Sequence, residues 1–149
     1  MRALLDVNVL VALLDAAHVH HRSATGWLAR NLSQGWASCP LTQNGCVRIL
    51  SLPAYRNAQP AQAIATRLGE ATAQPGHEFW PDSVSILDPG RLRWDHVLTS
   101  RQITDAYLLA LAVARGGRLV TLDHGIATQA VAKASPGSLV VLDRSHASR

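Results

Sequence analysis

The chain has 149 residues, 48% of them apolar and only 16% charged, which suits about one globular domain and is too apolar for disorder over most of its length. Fourteen Lys and Arg against ten Asp and Glu give a net charge of +4, and two cysteines are too few for a disulfide framework. No apolar run reaches the ~18 residues of a membrane span, and Asp6 and Asn8 interrupt the place where a signal peptide would have its apolar core, so a cytoplasmic chain with one domain over residues 1–149 and no membrane partner is expected.

Ala3-Leu4-Leu5 is a short apolar run ending at Asp6 and reads as a buried strand. Val9 to Leu14 follows a polar break and is rich in helix formers, which predicts one or two helical turns. His20 to Leu32 is amphipathic, with Ala24, Trp27, Leu28 and Leu32 on one side and Arg22 and Arg30 on the other. Trp36-Ala37-Ser38-Cys39 is a strand stopped by Pro40. A helix from Thr42 to Leu50 takes Thr42 as its N-cap and is closed by Pro53. Pro60 fits the first turn of a helix running to about Thr72. Turns fall at Pro75-Gly76 and Pro89-Gly90, with short extended pieces, Glu78-Phe79-Trp80 and Val84-Ser85-Ile86, around Pro81.

Thr104 to Arg115 has almost no polar face, which predicts a buried helix ended by Gly116-Gly117. Arg118 to Asp123 is a strand ending in an acid. A short helix near Ile126 to Ala134 and a last strand, Leu139 to Leu142, complete the pattern, with a frayed tail after Asp143. Apolar strands without two-residue alternation, separated by helices, imply a parallel sheet covered on both faces: a three-layer α/β/α domain. Ligands of such sheets bind outside the carboxyl ends of the strands.

The ten acids are few enough for their placement to be informative. Asp6 and Asp123 end two strands, and Asp105 lies at the start of the buried helix. A parallel sheet brings strand C-termini and helix N-termini to one edge, so three carboxylates distant in sequence converge there. Each also has an ordinary use: Asp105 complements a helix dipole, and Asp6 and Asp123 cap the helices after them. As a group without a nearby lysine, they repel one another unless a cation lies between them. Hard oxygen donors with no suitable Cys or His set point to Mg²⁺ or Mn²⁺ rather than zinc. Such an ion activates a water and stabilises a phosphodiester transition state. Phosphatases and receiver domains also place acids at strand ends, so the pattern alone leaves them open.

Thirteen of the fourteen basic residues are arginine, and Lys133 is the one lysine. The planar guanidinium fork suits phosphate, which makes nucleic acid a candidate partner, although a GC-rich genome gives the same bias. Cys39 and Cys46 have a spacing that fits no common zinc pattern and read as two buried thiols.

Leu5-Asp6-Val7-Asn8-Val9-Leu10-Val11-Ala12-Leu13, Thr104-Asp105-Ala106-Tyr107-Leu108-Leu109-Ala110-Leu111-Ala112 and Leu119-Val120-Thr121-Leu122-Asp123 resemble, in order, the motifs of PIN-domain ribonucleases of the VapC type, toxins of bacterial toxin–antitoxin pairs. Cys39-Pro40-Leu41-Thr42-Gln43-Asn44-Gly45-Cys46-Val47-Arg48 is similar to one branch of that family. The resemblance implies a Mg²⁺- or Mn²⁺-dependent endoribonuclease that cleaves structured RNA of the tRNA or rRNA class. It also implies a cognate antitoxin protein and a homodimer. The family's metal-binding, catalytic aspartates fall on Asp6, Asp105 and Asp123, with Asn8 and Thr121 as supporting polar residues.

The family usually has a glutamate early in the second-quarter helix, where this chain reads Thr42-Gln43-Asn44-Gly45. Gln43, with Asn44 as the neighbouring alternative, stands in that slot. An amide there holds a metal-bound water but adds no negative charge, so one tightly bound ion is expected rather than two. The missing acid also supports a rival: a catalytically weak or inactive PIN-like module that binds RNA or antitoxin. A receiver-type protein needs a lysine that only Lys133 supplies, and a dinucleotide-binding domain lacks its GxGxxG after the first strand.

Among the remaining residues, His18, His20 and His21 at a helix entry read as solvent-facing or capping rather than as ligands. Trp27 and Trp36 fit the core. Trp94, beside Arg91, Arg93 and His96, stacks an RNA base, meets the antitoxin or packs internally. His124 meets phosphate or lies on the surface, and Arg48 faces either phosphate or solvent.

Overall fold

The computed structural model describes residues 1–143. The expected frayed tail lies outside the described residues. In chain order the elements are β1 (Ala3–Leu5), α1 (Val7–Leu14), α2 (His21–Asn31), β2 (Trp36–Ser38), α3 (Pro40–Ser51), α4 (Ala61–Thr72), β3 (His77–Phe79), α5 (Gln102–Ala114), β4 (Arg118–Thr121) and β5 (Leu139–Val141). The five strands form one parallel sheet in the order β3-β2-β1-β4-β5.

Both faces of the sheet are covered, and alternation along each strand divides its side chains between two cores. Ala3 and Leu5 of β1, Trp36 of β2 and Val120 of β4 pack with Val9, Leu10, Trp27, Leu50 and Leu68 of α1 to α4. Leu4, Ala37 and Leu119, which pair directly across β2, β1 and β4, point the other way and pack with Leu108, Leu109 and Leu111 of α5. Most inward residues are apolar because each face meets helices, which is why the strands lack polar alternation; the buried exceptions, Ser38 and Thr121, stand at the carboxyl ends of β2 and β4. Cys39 and Cys46 are free and buried. Trp27 and Trp36 are core residues, as expected, and so is Trp80, which sequence reasoning did not single out.

Four local expectations are corrected. Helix α3 begins at Pro40, with Cys39 as its N-cap; proline at the first helical position is already set for the helix. Thr42 caps from inside, its hydroxyl accepting from Cys39 N at 3.0 Å. No helix spans Ile126 to Ala134, where only Thr128–Ala130 forms a 3₁₀ turn. The segment instead pairs with the preceding loop: Leu92 bridges Val131, Arg93 N donates to Ala130 O, and Ala132 N donates to Arg91 O. Those bonds use the main-chain groups a helix needs. Leu32 leaves the apolar stripe and is 47% exposed, because α2 stops at Asn31 and tightens into a 3₁₀ turn. Val84-Ser85-Ile86 pairs with no strand.

Candidate active site

The parallel register brings the ends of β1 and β4 side by side, and Asp6 N donates to Val120 O at 2.9 Å. Asp6 is 5% exposed and is the N-cap of α1. Its Oδ1 accepts from Val7 N at 2.7 Å, and its Oδ2 accepts from the Thr121 hydroxyl at 2.7 Å. The capping role and a place in a carboxylate cluster are therefore compatible. Thr121 is fully buried and acts as a hub. Besides donating to Asp6, its Oγ1 accepts from Asp123 N at 3.0 Å and from Asn8 Nδ2 at 3.3 Å. Asn8 Oδ1 accepts from Leu122 N at 3.1 Å, so this amide fastens the start of α1 to the end of β4. Asp123 is exposed, and its Oδ1 accepts from Gly125 N at 2.7 Å.

Asp105, on the first turn of α5, faces the same cluster. Its carboxyl is pushed up to about 7, first by burial, then by the charges of Asp6 and Asp123, with which it competes for ionisation. It hydrogen-bonds to Asp123, an arrangement that requires one of the two acids to keep its proton. Burial also holds the Asp6 carboxyl above its ordinary value; the Thr121 and Val7 bonds pull it down and Asp123 pushes it up. No lysine or arginine contributes to either balance.

The donor type and the uncompensated charge fit a hard divalent cation. The present arrangement is an open one: among the described residues, no three His, Cys, Asp or Glu side chains are gathered closely enough to cage an ion.

Gln43 lies at the same sheet edge, one strand over. Its helix is drawn against α1 at Gly45, where a Cβ would stand 2.7 Å from Val7 Cγ2. Only glycine permits so close an approach, and Val7 is the residue after Asp6. Gln43 Nε2 donates to Ser38 Oγ at 3.0 Å. Among the described residues it makes no hydrogen bond to Asp6, Asp105 or Asp123. Ser38 and its neighbour His77 were missed in the sequence. Ser38 ends a strand just as the acids do, but a search confined to carboxylates passes over a hydroxyl there.

The other expected residues stand apart. Arg48 is exposed on α3, and His124 is exposed beside Asp123. Trp94 is 50% exposed on a 3₁₀ turn that packs against the Thr128–Ala130 turn. That second turn reaches the first turn of α5: Ala127 and Ala130 border Gln102 and Asp105. Of the three histidines at the entry to α2, His21 Nδ1 bonds to Ala12 O at 2.7 Å, and His18 Nδ1 accepts from His20 N at 3.0 Å, which are capping and turn roles.

A five-stranded parallel sheet with acids at its carboxyl edge is the frame of a PIN domain, and the PIN-domain family matches residues 3–132. The chain is 49% identical to ribonuclease VapC44 of Mycobacterium tuberculosis over 142 residues, covering 95% of this chain and all of that one. It is 44% identical to ribonuclease VapC39 of the same organism over 133 residues, 89% of this chain and 96% of the other. Its fold is similar to the VapBC2 structure from Rickettsia felis bound to a DNA fragment from their promoter, with TM-score 0.66 and 16% identity over 96% of this chain and 100% of that one. The sarcin–ricin-loop-cleaving toxin VapC20 of M. tuberculosis is similar at TM-score 0.55 and 11% identity, over 78% of this chain and 85% of that one. The chain belongs to the VapC ribonucleases, within the PIN-domain family.

Proposed function

We propose that the protein is the toxin of a toxin–antitoxin pair and cuts a structured RNA in the cytoplasm by metal-assisted hydrolysis, with Asp6, Asp105 and Asp123 as the carboxylates that hold one Mg²⁺ or Mn²⁺. The observation that carries this reading is the grouping of three acids at one sheet edge, with no lysine or arginine contributing to the balance at Asp6 or Asp105 and Asp105 raised to about 7. A divalent ion, when bound, polarises the phosphodiester and lowers the pKa of a bound water. Thr121 fixes Asp6 and the Asp123 main chain in one hydrogen-bond hub, and Asn8 secures that hub to β4. One of the three carboxylates accepts the proton of the attacking water. Gln43 offers an amide for a water or an RNA donor at the rim. Arg48 and His124 meet phosphates, and Trp94 stacks an unpaired base.

Relatives named as ribonucleases and a neighbour solved as a VapBC complex support the reading, including an antitoxin as partner. Assembly as a homodimer rests on the family resemblance alone. The neighbour described as cleaving the sarcin–ricin loop supports a structured loop as target. Asp6→Asn and Asp105→Asn should each abolish RNA cleavage and growth inhibition while circular dichroism shows an intact fold. A folded Asp6→Asn variant that still cuts overturns the assignment.

A second reading is favoured by one residue. Gln43 is neutral where the family usually has an acid, as suits a module that binds RNA or antitoxin without cutting. Cleavage that stops on adding a chelator and returns with Mg²⁺ or Mn²⁺ decides for the enzyme.

A further inference from the structure

Gln43 is held by a chain of hydrogen bonds that runs through Ser38 to His77. The edge strand β3 carries His77, whose Nε2 lies 2.8 Å from Ser38 Oγ. The ring stands edge-on to Trp36, centroids 4.5 Å apart, near the Thr72 main chain at the end of α4. Burial holds the imidazole below its ordinary value; the Thr72 carbonyl and Glu78 raise it and the Arg2 cation lowers it. Arg2 and Glu78 are themselves paired at 3.5 Å.

A neutral imidazole has one N–H and one bare nitrogen. Gln43 turns its NH₂ toward Ser38, with Nε2 donating to Ser38 Oγ at 3.0 Å. The Ser38 oxygen thus accepts from Gln43, and its single proton is left for the bare nitrogen of His77, Nε2. Among the described residues the Gln43 carbonyl Oε1 has no hydrogen-bond partner, and Gln43 lines an open groove between α3 and α4 with Asn44, Val47, Leu68 and Thr72. One step beyond the Leu4–Ala37 pair, Ser38 lies level with Leu5, the residue before Asp6. The relay thus ends beside the carboxylate edge.

We propose that Ser38 and His77 are positioning residues that lock the Gln43 amide with its carbonyl outward, so that residue 43 presents a fixed acceptor for a donor of the bound RNA, such as a 2′-hydroxyl or a base amino group. This rests on the ribonuclease reading of the site. It explains why glutamine suits this chain. A carboxylate at residue 43 has nothing to donate to Ser38, so Ser38 must donate to it and His77 must turn from acceptor to donor at Nε2, which the imidazolium form does best beside the new negative charge.

Two experiments test the proposal. In metal-free protein, the His77 ring resonances are followed by NMR against pH in the wild type, in Gln43→Glu and in Gln43→Glu/Ser38→Ala. The pKa of His77 should rise by about one unit or more in Gln43→Glu. Most of that rise should vanish when Ser38 is also replaced, although residue 43 and His77 keep their charges. An unchanged His77 in Gln43→Glu, or a rise that persists without Ser38, overturns the relay.

In cleavage assays, His77→Gln, which keeps an acceptor for Ser38, should retain activity within about threefold, whereas His77→Phe should lose roughly tenfold or more in kcat/KM. Equal activities overturn the positioning role. If Gln43→Ala cuts like the wild type while the NMR coupling holds, the relay stands and the contact assigned to Gln43 in the ribonuclease reading fails.

Discussion

Thr121 shows how much of the site depends on one hydroxyl. It gives its proton to Asp6 and accepts from Asp123 N and Asn8 Nδ2, all while fully buried. Thr121→Val keeps the shape and removes every one of those bonds. The stranded polar groups should cost about 1–3 kcal/mol in a denaturant titration and most of the cleavage activity. Thr121→Ser should preserve both. Asp105 gives a second prediction at this scale. Its carboxyl is raised from 3.8 to about 7 in the folded protein. Between those values the native state binds more protons than the unfolded chain, so in chelator the stability falls as pH rises through that window and levels off above it. Asp105→Asn carries no such charge. It should be more stable than the wild type at pH 8, by about 1–2 kcal/mol once solvent screening is allowed for, and should match it near pH 4. A stability difference between Asp105→Asn and the wild type that does not grow from pH 4 to pH 8 in chelator contradicts the raised carboxyl.

At the scale of elements, the contact between α1 and α3 sets the width of the site. Gly45 lets α3 press on Val7, and a Cβ there would meet a stiff β-branched side chain at 2.7 Å. Gly45→Val should therefore force the helices apart, costing about 1–3 kcal/mol and lowering cleavage more than that loss of stability explains. The check is activity measured well below the unfolding midpoint. Legibility in the sequence at this scale depends on which forces are local. Strand β1, helix α5 and strand β4 are built on apolar runs followed by Gly or Asp, so composition alone marks them. The acids at their ends could be placed because parallel topology determines which ends meet. Thr42 reads as the cap because its residue type suits one, whereas Pro40 has already started the helix. Residues 126–134 have helical composition, but pairing with residues 91–93 takes their main-chain groups, and that partner is about forty positions away in sequence. The Ser38–His77 bond joins two strands and was equally invisible.

For the whole molecule, the net charge of +4 overstates the surface available to RNA. Several arginines already have structural partners. Arg2 donates to Gly76 O at 2.6 Å and to Trp36 O at 3.2 Å. Arg118 lies 5.0 Å over the Trp27 ring and donates to Asn31 and Gln34. Arg67 donates to Leu14 O at 2.5 Å, and Arg91 pairs with Asp88 at 3.2 Å. Arg48 and Arg101 are exposed on α3 and just before α5, the two helices that bring Gln43 and Asp105 to the edge. Arg93 lies beside the exposed Trp94. With about three such phosphate contacts, the affinity of uncleavable Asp105→Asn for single-stranded RNA should fall with salt at a log–log slope near −2. Arg48→Ala should flatten that slope by about 0.7 and leave thermal stability unchanged. Arg118→Ala should leave the slope alone and lower the melting temperature, since its guanidinium packs on Trp27 rather than facing phosphate. Phosphate contacts position the RNA without reading it, so Trp94→Ala should reduce cutting of a structured loop more than it reduces this salt-dependent binding. If Trp94→Ala lowers both equally, Trp94 contributes only general affinity and loop selection must lie elsewhere on the rim.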